Sequence, residues 1–586
     1  MPHLETQVLV IGGGPVGLST ALHLDAQGID CVLVEKHPST ATHPKASYFN
    51  VRTMEILREL GVAGDVYATA MMPQGVSFYT KICGYKLGVL GMTDYLDHVD
   101  RVIASTASPG CVSSQIVLEA ILKTHAERVP NVRVLFNHEK LDIEQDDAGV
   151  RATVVNRGNG ERFVIEAKYA IACEGVRSST REALGRKLVG PPPFGHCVNI
   201  YIDADIQSLV GEPDQALFWT STPEATGGFI ALGGDRSKYC FNTPYFPDKG
   251  ERPEDFTEER CFAKVRAALG TDELPIKILA VGPWVLCGQV IDEYRQGRIF
   301  FGGDTAHLNI PTGGFGFNTG MQETHNLAWK LAAVLRGDAP DALLDTYHQE
   351  RRPIAEFNVE KSRENAVNIR DVGATFGGYV PDNDEIDRDT PKGRRQRAEK
   401  TAAIRKQKTH FLFLGQEIGF GYWDSPLVVP DGSRHYAEEH HIDDPVYIYV
   451  ANARPGARAP HCWVATSAAP NARMPLQDLF GKEFVLLTYG PCATGWATDV
   501  AVPVGQTSVR HYRVGDPGTE ADIFDLEGAW SRTYGIDVEG AVLIRPDGHV
   551  SWRARSAPDT HRGIGVREAL EIALGRRMKR PEDHAA

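Results

Sequence analysis

The first 60 positions alternate between short apolar runs and a helical pattern. An apolar run at residues 8–11 precedes a glycine-rich turn, a helical stretch at 16–27 and a second apolar run at 31–35. This order of strand, helix and strand predicts a βαβ unit and therefore a parallel sheet. A second helix is predicted after it, where Met54 and Leu57 recur at helical spacing.

The middle of the chain has a different texture. Two segments, 76–109 and 191–285, are rich in Trp, Tyr, Phe, Gly and Pro and carry short alternating runs, such as 198–202 and 228–232. Such alternation predicts half-buried strands of an antiparallel sheet. The first pattern then resumes with an apolar run at 299–301, a glycine-rich turn and a long helix.

Charged residues and good helix formers dominate positions 388–408, which predicts a solvated helix that joins two domains. From about residue 436 onward strands return, at 484–489 and 541–544, together with a helix at 566–574. These patterns predict a third, compact α/β domain.

The predicted fold is therefore α/β with a discontinuous first domain. A Rossmann-like domain comprises residues 1–75, 110–190 and 286–400, and an antiparallel-sheet domain of residues 76–109 and 191–285 is inserted into it. Residues 401–435 form a linker, and residues 436–586 form the third domain. A length of 586 residues agrees with about three domains.

Charge and cysteine content narrow the function. A net charge of −14 argues against a nucleic-acid partner, which favours a basic face. The ten cysteines, Cys492 among them, form no C-x-x-C pair, so neither zinc nor dithiol chemistry is indicated, and we expect no metal. Reduced, mostly buried thiols and the lack of an apolar leader or an 18-residue apolar run predict a cytoplasmic protein that neither is secreted nor spans a membrane.

A glycine motif follows the first predicted strand. Gly12, Gly14 and Gly17 form G-x-G-x-x-G, Pro15 begins the helix, and Glu35 ends the second strand. In such motifs glycine backbone approaches a pyrophosphate at a helix N-terminus, and the acid binds a ribose hydroxyl. The motif predicts FAD or NAD, since the Glu35 carboxylate would repel a 2′-phosphate. The alternative is a tight strand-to-helix turn without a ligand.

A second glycine cluster favours FAD. Gly303 and Asp304 follow the strand at 299–301, and a glycine-rich segment then opens a long helix. Reduced flavin carries negative charge that a helix N-terminus stabilises, and the Asp304 carboxylate suits the ribityl hydroxyls. The alternative is a structural corner in which Asp304 caps a helix.

The order of three motifs resembles the para-hydroxybenzoate hydroxylase-like class of flavoprotein monooxygenases. They are the first glycine turn, the segment Cys173-Glu174-Gly175-Val176-Arg177-Ser178, and the segment Gly303-Asp304-Thr305-Ala306-His307. In that class they bind the ADP part of FAD, lie between FAD and NAD(P)H, and hold the ribityl chain, respectively. The resemblance covers residues 4 to about 360.

The C-terminal region resembles the thioredoxin-like domain of the phenol hydroxylase and polyketide aromatic hydroxylase branch. The resemblance rests on residues 454–461, 476–481 and 544–548. Without a C-x-x-C this domain cannot exchange dithiols. We assign it to oligomerisation or support, and we expect a homo-oligomer.

The motifs and the resemblance together imply a set of cofactor-binding residues. Two of them depart from the family pattern, which has Asp at the position of Glu174 and Arg at the position of Lys45. The predicted set is Gly12, Gly14, Pro15, Gly17, Glu35, Lys36, Lys45, Arg52, Gln115, Glu174, Gly175, Arg177, Gly303, Asp304, Pro311, Gly313, Gly314, Gly316 and Asn318.

The resemblance implies a two-step cycle on tightly, non-covalently bound FAD. NADH or NADPH visits transiently and reduces FAD, and O2 then forms a C4a-hydroperoxide that hydroxylates a phenolic or polyketide-type aromatic substrate. The hydroperoxide requires an apolar surround that excludes water. We predict this wall from aromatic residues, for which ordinary sheet-core positions are the alternative: Trp219, Phe229, Phe241, Tyr245 and Trp284, with Pro311 beside them.

Ser47 and Tyr48 are the predicted catalytic residues, because in this family the segment passes close to the flavin. Ser47 is a poor base alone and would relay a proton through water or Tyr48. His307 is expected to be a packed, hydrogen-bonded histidine. Two further functions stay open at this point: Baeyer-Villiger or epoxidising oxygenation on the same fold, and a non-catalytic flavin-binding sensor.

Overall fold

A computed structural model of the chain describes residues 2–211, 214–375, 379–434, 436–439, 441–490, 494–501, 503–536, 539–558 and 560–577. Cys492 lies outside them; the other nine cysteines are free thiols, most of them buried, as predicted. No helix within the described ranges has the length and apolar character needed to cross a membrane.

Strands and helices are numbered in chain order. The strands are β1 His3–Ile11, β2 Cys31–Glu35, β3 Tyr48–Phe49, β4 Gly75–Tyr79, β5 Lys86–Gly91, β6 Cys111–Val112, β7 Val132–Phe136, β8 His138–Gln145, β9 Val150–Asn156, β10 Arg162–Ala172, β11 Leu188–Val189, β12 Gly195–Asp203, β13 Gln215–Thr220, β14 Gly227–Ala231, β15 Lys238–Tyr245, β16 Lys277–Leu286, β17 Gln289–Ile291, β18 Arg295–Gln296, β19 Ile299–Phe301, β20 His307–Leu308, β21 Trp463–Thr466, β22 Ala469–Pro475, β23 Phe484–Tyr489, β24 Val509–Gly515, β25 Ile523–Asp525, β26 Ala541–Ile544 and β27 Val550–Ala554. The helices are α1 Pro15–Ala26, α2 Val51–Glu59, α3 Ala63–Tyr67, α4 Leu96–Ser105, α5 Gln115–Ala126, α6 Ser179–Ala183, α7 Gln207–Val210, α8 Glu258–Leu269, α9 Phe315–Leu335, α10 Thr346–Asn368, α11 Pro391–Ile404, α12 Lys408–Phe411, α13 Leu414–Ile418, α14 Tyr436–Glu439, α15 Thr494–Val500, α16 Trp530–Tyr534 and α17 Val566–Ala573.

The first sheet has the predicted Rossmann-like core. Strands β7, β2, β1, β10 and β19 lie side by side in that order, and every neighbouring pair among them is parallel. Their interiors are continuous apolar runs, as expected of strands buried on both faces. Chain order reverses between β1 and β10, and ligands bind at such a switch point beyond the carboxyl ends of the strands.

The second sheet comprises β16, β12, β15, β14, β13, β4 and β5, in that order. It is antiparallel, as predicted, except that β13 and β4 run parallel. The exception arises because β4 comes from an early chain segment and reaches β13 by a long connection, which a parallel pairing requires.

The third sheet has the order β22, β21, β25, β24, β23, β26 and β27, with parallel and antiparallel pairs, and α17 packs on it. The mixed α/β architecture of the C-terminal region is as predicted. The linker prediction needs correction in one respect: α11 is helical, but Ala403 and Ile404 are buried against the second sheet, so one face of this helix is not solvated.

Candidate active site

Strand register brings the three predicted motifs together at one edge of the first sheet. Ile11 pairs with Ala172, and Ala172 pairs with Phe301. Gly12, Cys173 and Gly302 follow these residues directly, so three loops leave the sheet side by side. The motifs are separated widely along the chain, and parallel pairing alone accounts for their convergence.

Backbone contacts explain the glycines of the first turn. A Cβ on Gly17 would lie 1.9 Å from the carbonyl oxygen of Gly12, and a Cβ on Gly12 would lie 2.3 Å from that of Cys173. A Cβ on Gly14 would meet no protein atom within 4 Å. Gly12 and Gly17 therefore shape the turn, whereas Gly14 leaves room in front of the N-terminus of α1, where an anion is stabilised.

Glu35 closes this turn. Its carboxylate accepts hydrogen bonds from the backbone N–H of Gly13 at 2.7 Å and of His37 at 2.8 Å. The side chain is thereby fixed at the end of β2, on the wall of the cavity described below. This is where a ribose hydroxyl meets the acid in dinucleotide-binding folds.

Glu174 mainly holds its own loop. Its carboxylate accepts hydrogen bonds from Ser178 at 2.6 Å and from Ser179 at 3.0 Å, and Lys140 lies 3.3 Å away. Burial alone would raise the pKa of Glu174, but the ammonium group of Lys140 and these hydrogen bonds outweigh it and lower the pKa. The anionic loop brings Gly175 and Arg177 to the cavity wall.

The third motif is fixed by a buried carboxylate, Glu323 on α9. It accepts a hydrogen bond from Gly303 N–H at 2.8 Å and lies 3.3 Å from His307 Nε2. His307 is fully buried and hydrogen-bonded, as predicted. The residue that caps the turn Gly303–Thr305 is Gly302, so Asp304 is not a cap, and its exposed carboxylate faces the cavity.

The N-terminus of α9 is built from glycine. Gly313 and Gly314 have φ angles of +93° and +68°, a left-handed conformation that favours glycine. No side chain caps the helix, so its first N–H groups remain available to an acceptor. Asn318 does not line the cavity: its amide donates to Tyr48 O at 2.9 Å and accepts from Asn50 N–H, which ties β3 to α9.

One large cavity connects these motifs with the second sheet. Its volume is about 1360 Å³, above the roughly 300–1,000 Å³ of ordinary ligand sites, as a dinucleotide and a second molecule would need. At the first-sheet end its lining includes many of the predicted cofactor-binding residues. They are Gly14, Pro15, Glu35, Lys36, Lys45, Gln115, Glu174, Gly175, Arg177, Gly303, Asp304, Pro311, Gly313, Gly314 and Gly316.

Arg52 is placed elsewhere, and the prediction that it contacts the cofactor is wrong. The buried guanidinium donates to Glu55 at 3.0 Å and to the carbonyl oxygen of Asp547 at 2.8 Å. These contacts lie where α2 meets the C-terminal domain, so the side chain of Arg52 points away from the cavity.

Side-chain alternation decides which residues of the second sheet face the cavity. Trp219 and Trp284 lie on its wall, as predicted, together with Asn199, Gly228 and Asn242. Phe229 and Phe241 stack on each other on the opposite face, with ring centroids 4.4 Å apart. Successive residues of a strand point to opposite faces, and Trp219 pairs with Gly228, not with Phe229.

Tyr245 lies on that opposite face too, where it packs edge-on against Phe256. The predictions that Phe229, Phe241 and Tyr245 line the substrate site are therefore wrong, and all three belong to the hydrophobic core. The pairing of Trp219 with Gly228 across the two strands is what excludes Phe229 from the wall, and the sequence alone does not show this register. Asn199 and Asn242, which were not predicted as site residues, form a hydrogen-bonded pair on the wall, with 2.6 Å between the two side chains.

Ser47 and Tyr48 both lie on the cavity wall. The segment is held by Gln115, whose side chain accepts a hydrogen bond from Ala46 N–H at 3.2 Å. The Tyr48 hydroxyl donates to Glu417 at 2.8 Å. Glu417 was not predicted, because it lies in the segment interpreted as a linker; residues 410–413 and 417 line the cavity.

The residues of the cavity fit FAD. Gly14 leaves open backbone where a pyrophosphate would meet α1, and Gly314 opens a second helix N-terminus for the flavin ring. On the wall near His307, the buried Nδ2 atom of Asn309 has no hydrogen-bond partner within the described ranges, and so offers a donor to a ligand.

Similarity to known proteins identifies the family. Residues 5–362 match the FAD binding domain family, and residues 452–579 match the C-terminal domain of aromatic-ring hydroxylases. A putative polyketide hydroxylase of Streptomyces coelicolor is 33% identical, over 94% of each chain. Phenol 2-monooxygenase of a Pseudomonas species is 31% identical, over 94% of this chain and 90% of the relative.

A solved structure has the same fold across the whole chain. The flavin-dependent monooxygenase PieE, in complex with FAD and substrate, superposes with a TM-score of 0.88 and 30% identity, over 98% of this chain and 100% of PieE. The match includes the mixed C-terminal sheet, so the thioredoxin-like prediction agrees with it. The chain belongs to the family of FAD-dependent aromatic-ring monooxygenases, the hydroxylases whose FAD-binding domain is followed by an aromatic-ring hydroxylase C-terminal domain.

Proposed function

We propose that the protein uses NADH or NADPH and O2 to hydroxylate a phenolic or polyketide-type aromatic ring. The observation that carries this proposal is the continuous cavity of about 1360 Å³, which runs from two glycine-lined helix N-termini to a wall of Trp219, Trp284 and apolar side chains. One end suits a dinucleotide and the other a flat ring. Relatives named for phenol and for polyketide substrates support both substrate classes.

FAD would be held by the loops at the edge of the first sheet. Gly14 and the N-terminus of α1 would receive the pyrophosphate, Glu35 a ribose hydroxyl and Asp304 the ribityl chain. When bound, FAD supplies the redox chemistry of the reaction. Lys45 and Arg177, which are exposed at the cavity, offer positive charge to the phosphates of a visiting nicotinamide nucleotide.

Water exclusion falls to apolar residues around the second sheet. Phe411, Leu412 and Phe413 line the cavity from the segment before α13, and Val99 and Val102 line it from α4. Phe413 also meets Tyr48 edge-on, with ring centroids 6.0 Å apart, so this side of the cavity is packed. A reaction that loses its oxidant to water needs such a surround.

Purified holoenzyme tests this proposal. Oxidation of NADH and NADPH would be followed with phenol, dihydroxybenzenes and hydroxynaphthoquinones, with hydrogen peroxide measured in parallel. We expect at least one ring compound to accelerate nicotinamide oxidation and to yield a product one oxygen heavier, with a new ring hydroxyl. Acceleration by none of them would contradict the proposal, and a ring-expanded lactone would reassign the reaction to Baeyer-Villiger oxygenation.

Three further predictions belong to this proposal. We expect a homo-oligomer, a cytoplasmic location, and a supporting role for the C-terminal domain. The last agrees with the buried ion pairs that fasten this domain to α2 and α10. The division of the chain at residues 76, 110, 191, 286, 401 and 436 stays a prediction as well. Among the described residues, the strands of each main sheet come from the segments predicted for it, except that β4 begins one residue before, and β16 ends one residue after, the segments predicted for the second sheet.

A further inference from the structure

Glu417 is a buried carboxyl on the substrate side of the cavity. It lies in the short helix α13, the residue is 5% exposed, and it reaches the cavity wall beside Tyr48. Tyr48 itself lies against the N-terminus of α9: a Cβ on Gly314 would be 3.6 Å from the Cβ of Tyr48. The pair therefore adjoins the N-terminus of α9, which would receive the flavin ring.

The carboxylate is held by donors, not by a cation. Tyr48 Oη donates to Glu417 Oε1 at 2.8 Å, and the backbone N–H of Val51 donates to the same carboxylate. No lysine, arginine or histidine of the described part of the chain forms an ion pair with Glu417. A buried carboxylate without a cation is costly, and proteins keep such groups mainly at functional sites.

Burial raises the pKa of Glu417 to about 7, against the opposing effect of the two hydrogen bonds, and the like charge of Glu55 adds to the rise. The pKa of Tyr48 lies well above its usual range, because of burial and the adjacent Glu417. A carboxyl that titrates near neutrality can both accept and release a proton under working conditions.

The other titratable groups near this part of the cavity do not change their charge near neutral pH. Burial would raise the pKa of Glu55 on α2, but Arg458 and Arg52 hold it at about 2. Burial raises the pKa of the Cys111 thiol on β6 to about 12 and lowers that of His98 on α4 to about 4. Glu417 is thus the group of this set whose charge changes in the working range.

We propose that Glu417 takes up, through Tyr48, the proton that a bound phenolic substrate releases. The inference rests on the proposed function, since it needs a phenol in the cavity. The substrate O–H bond breaks and leaves its electron pair on oxygen; its proton passes to Tyr48 Oη as the Tyr48 proton moves to Glu417 Oε1. The result is a phenolate, a neutral tyrosine and a neutral carboxylic acid.

The chemical gain lies in the ring. A phenolate is richer in electrons than the phenol, so its carbon atoms are attacked more readily by an electrophilic oxygen. Tyr48 would touch the substrate, whereas Glu417 acts through Tyr48 and is a positioning residue. A linker segment thereby contributes to the chemistry of a site built on the other two sheets.

The direct test measures ionisation of a bound phenol without turnover. Oxidised holoenzyme would be titrated with 4-nitrophenol, and difference spectra would give the fraction bound as phenolate between about pH 5 and 9. We expect the ionisation midpoint of the bound probe to lie about one pH unit below that of the free probe, and to return to the free value in Glu417→Gln and Tyr48→Phe. Glu417→Asp should recover part of the shift.

A control variant removes a carboxyl outside the cavity. Glu59→Gln, on α2, should show the wild-type midpoint. An unchanged midpoint in both Glu417→Gln and Tyr48→Phe would overturn the relay while leaving the proposed function standing. Failure of the wild-type protein to bind the probe or any ring compound would overturn the proposed function, and the relay with it.

Turnover gives a second readout that a structural role would not produce. With a phenolic substrate, wild-type kcat should fall as the pH drops through about 7, because a protonated Glu417 accepts no proton. The Glu417→Gln variant should lose about 10²-fold in kcat at neutral pH, and its kcat should not fall further as the pH drops through 7. If kcat of Glu417→Gln falls with pH in the same way as that of the wild type, the relay is contradicted. The FAD content per chain would verify that each variant is folded.

Discussion

Arg545 and Glu350 form a fully buried ion pair between the C-terminal domain and α10. The two guanidinium nitrogens donate to the two carboxylate oxygens at 2.6 and 2.9 Å. Lys330 and Ser425 also donate to this carboxylate, so Glu350 is satisfied on both oxygens. A fully buried network of charged side chains thus joins the third sheet to α9 and α10.

We predict that Glu350→Gln or Arg545→Ala destabilises the fold by about 3–5 kcal/mol, because each leaves its partner charged and buried. Urea unfolding would measure the loss. Arg473→Ala, which breaks an exposed pair with Glu527, should cost no more than about 1 kcal/mol. Equal losses at the two places would contradict a stabilising role for the buried network.

Gly14→Val should abolish FAD binding without unfolding the chain. The φ of Gly14 is −72°, which any residue adopts, and its Cβ would meet no protein atom but would stand before the N-terminus of α1. The ratio of flavin to protein absorbance measures retention. Gly64→Val, equally open but outside the cavity, should keep its flavin, whereas full flavin content in Gly14→Val would contradict the assignment.

The two faces of the second sheet should respond differently to substitution. Trp219→Ala alters the cavity wall, and we predict a change in KM of about 10-fold or more and a preference for larger ring systems. Phe229→Ala removes core packing at a cost of about 3–5 kcal/mol but should keep the substrate preference of the wild type. Activity with a series of ring substrates measures the first effect, and urea unfolding measures the second. A changed substrate preference in Phe229→Ala would contradict the assignment of Phe229 to the face of the sheet that points away from the cavity.

Glu417 should make stability depend on pH in an uncommon direction. Its folded pKa of about 7 exceeds the usual value of 4.5, so the folded state holds this proton more tightly than the unfolded state. The stabilising contribution is complete below about pH 4.5 and is lost as the pH rises through 7. Glu417→Gln should therefore gain stability relative to wild type at alkaline pH, measured by urea unfolding of both proteins; an equal difference at acidic and alkaline pH would contradict the raised pKa.

The strands and glycine turns that build the sheets could be predicted from the sequence, because each is encoded by a short run of consecutive residues. The apolar runs at 31–35, 299–301, 484–489 and 541–544 coincide with β2, β19, β23 and β26. Buried parallel strands and glycine turns are each encoded within a few consecutive residues. The placing of Gly14 and Gly314 at one cavity then follows from strand order.

The substrate side was harder to predict because its signals are not local. Phe229 was assigned to the wall from its residue type, whereas register on Trp219 decides which face it occupies. Glu417 lies 369 positions from Tyr48 along the chain. The residues at 411–423 are largely apolar, which is a local sign of burial, but no local pattern shows that they pack beside Tyr48. Arg52 has the charge of a phosphate ligand. Its i,i+3 spacing to Glu55 on α2 was a local signal of an ion pair, but its contact with the carbonyl oxygen of Asp547, 495 positions away, is visible only in three dimensions.

The central claim is that the cavity adds one atom of O2 to an aromatic ring. The most direct measurement is turnover of the FAD-loaded protein under ¹⁸O2, with NADH or NADPH and a hydroxynaphthoquinone, followed by mass analysis and structure determination of the product. We predict a single ¹⁸O in a new ring hydroxyl. A product that carries oxygen from water, or substrate recovered unchanged while the FAD-loaded protein consumes no nicotinamide, would contradict the claim.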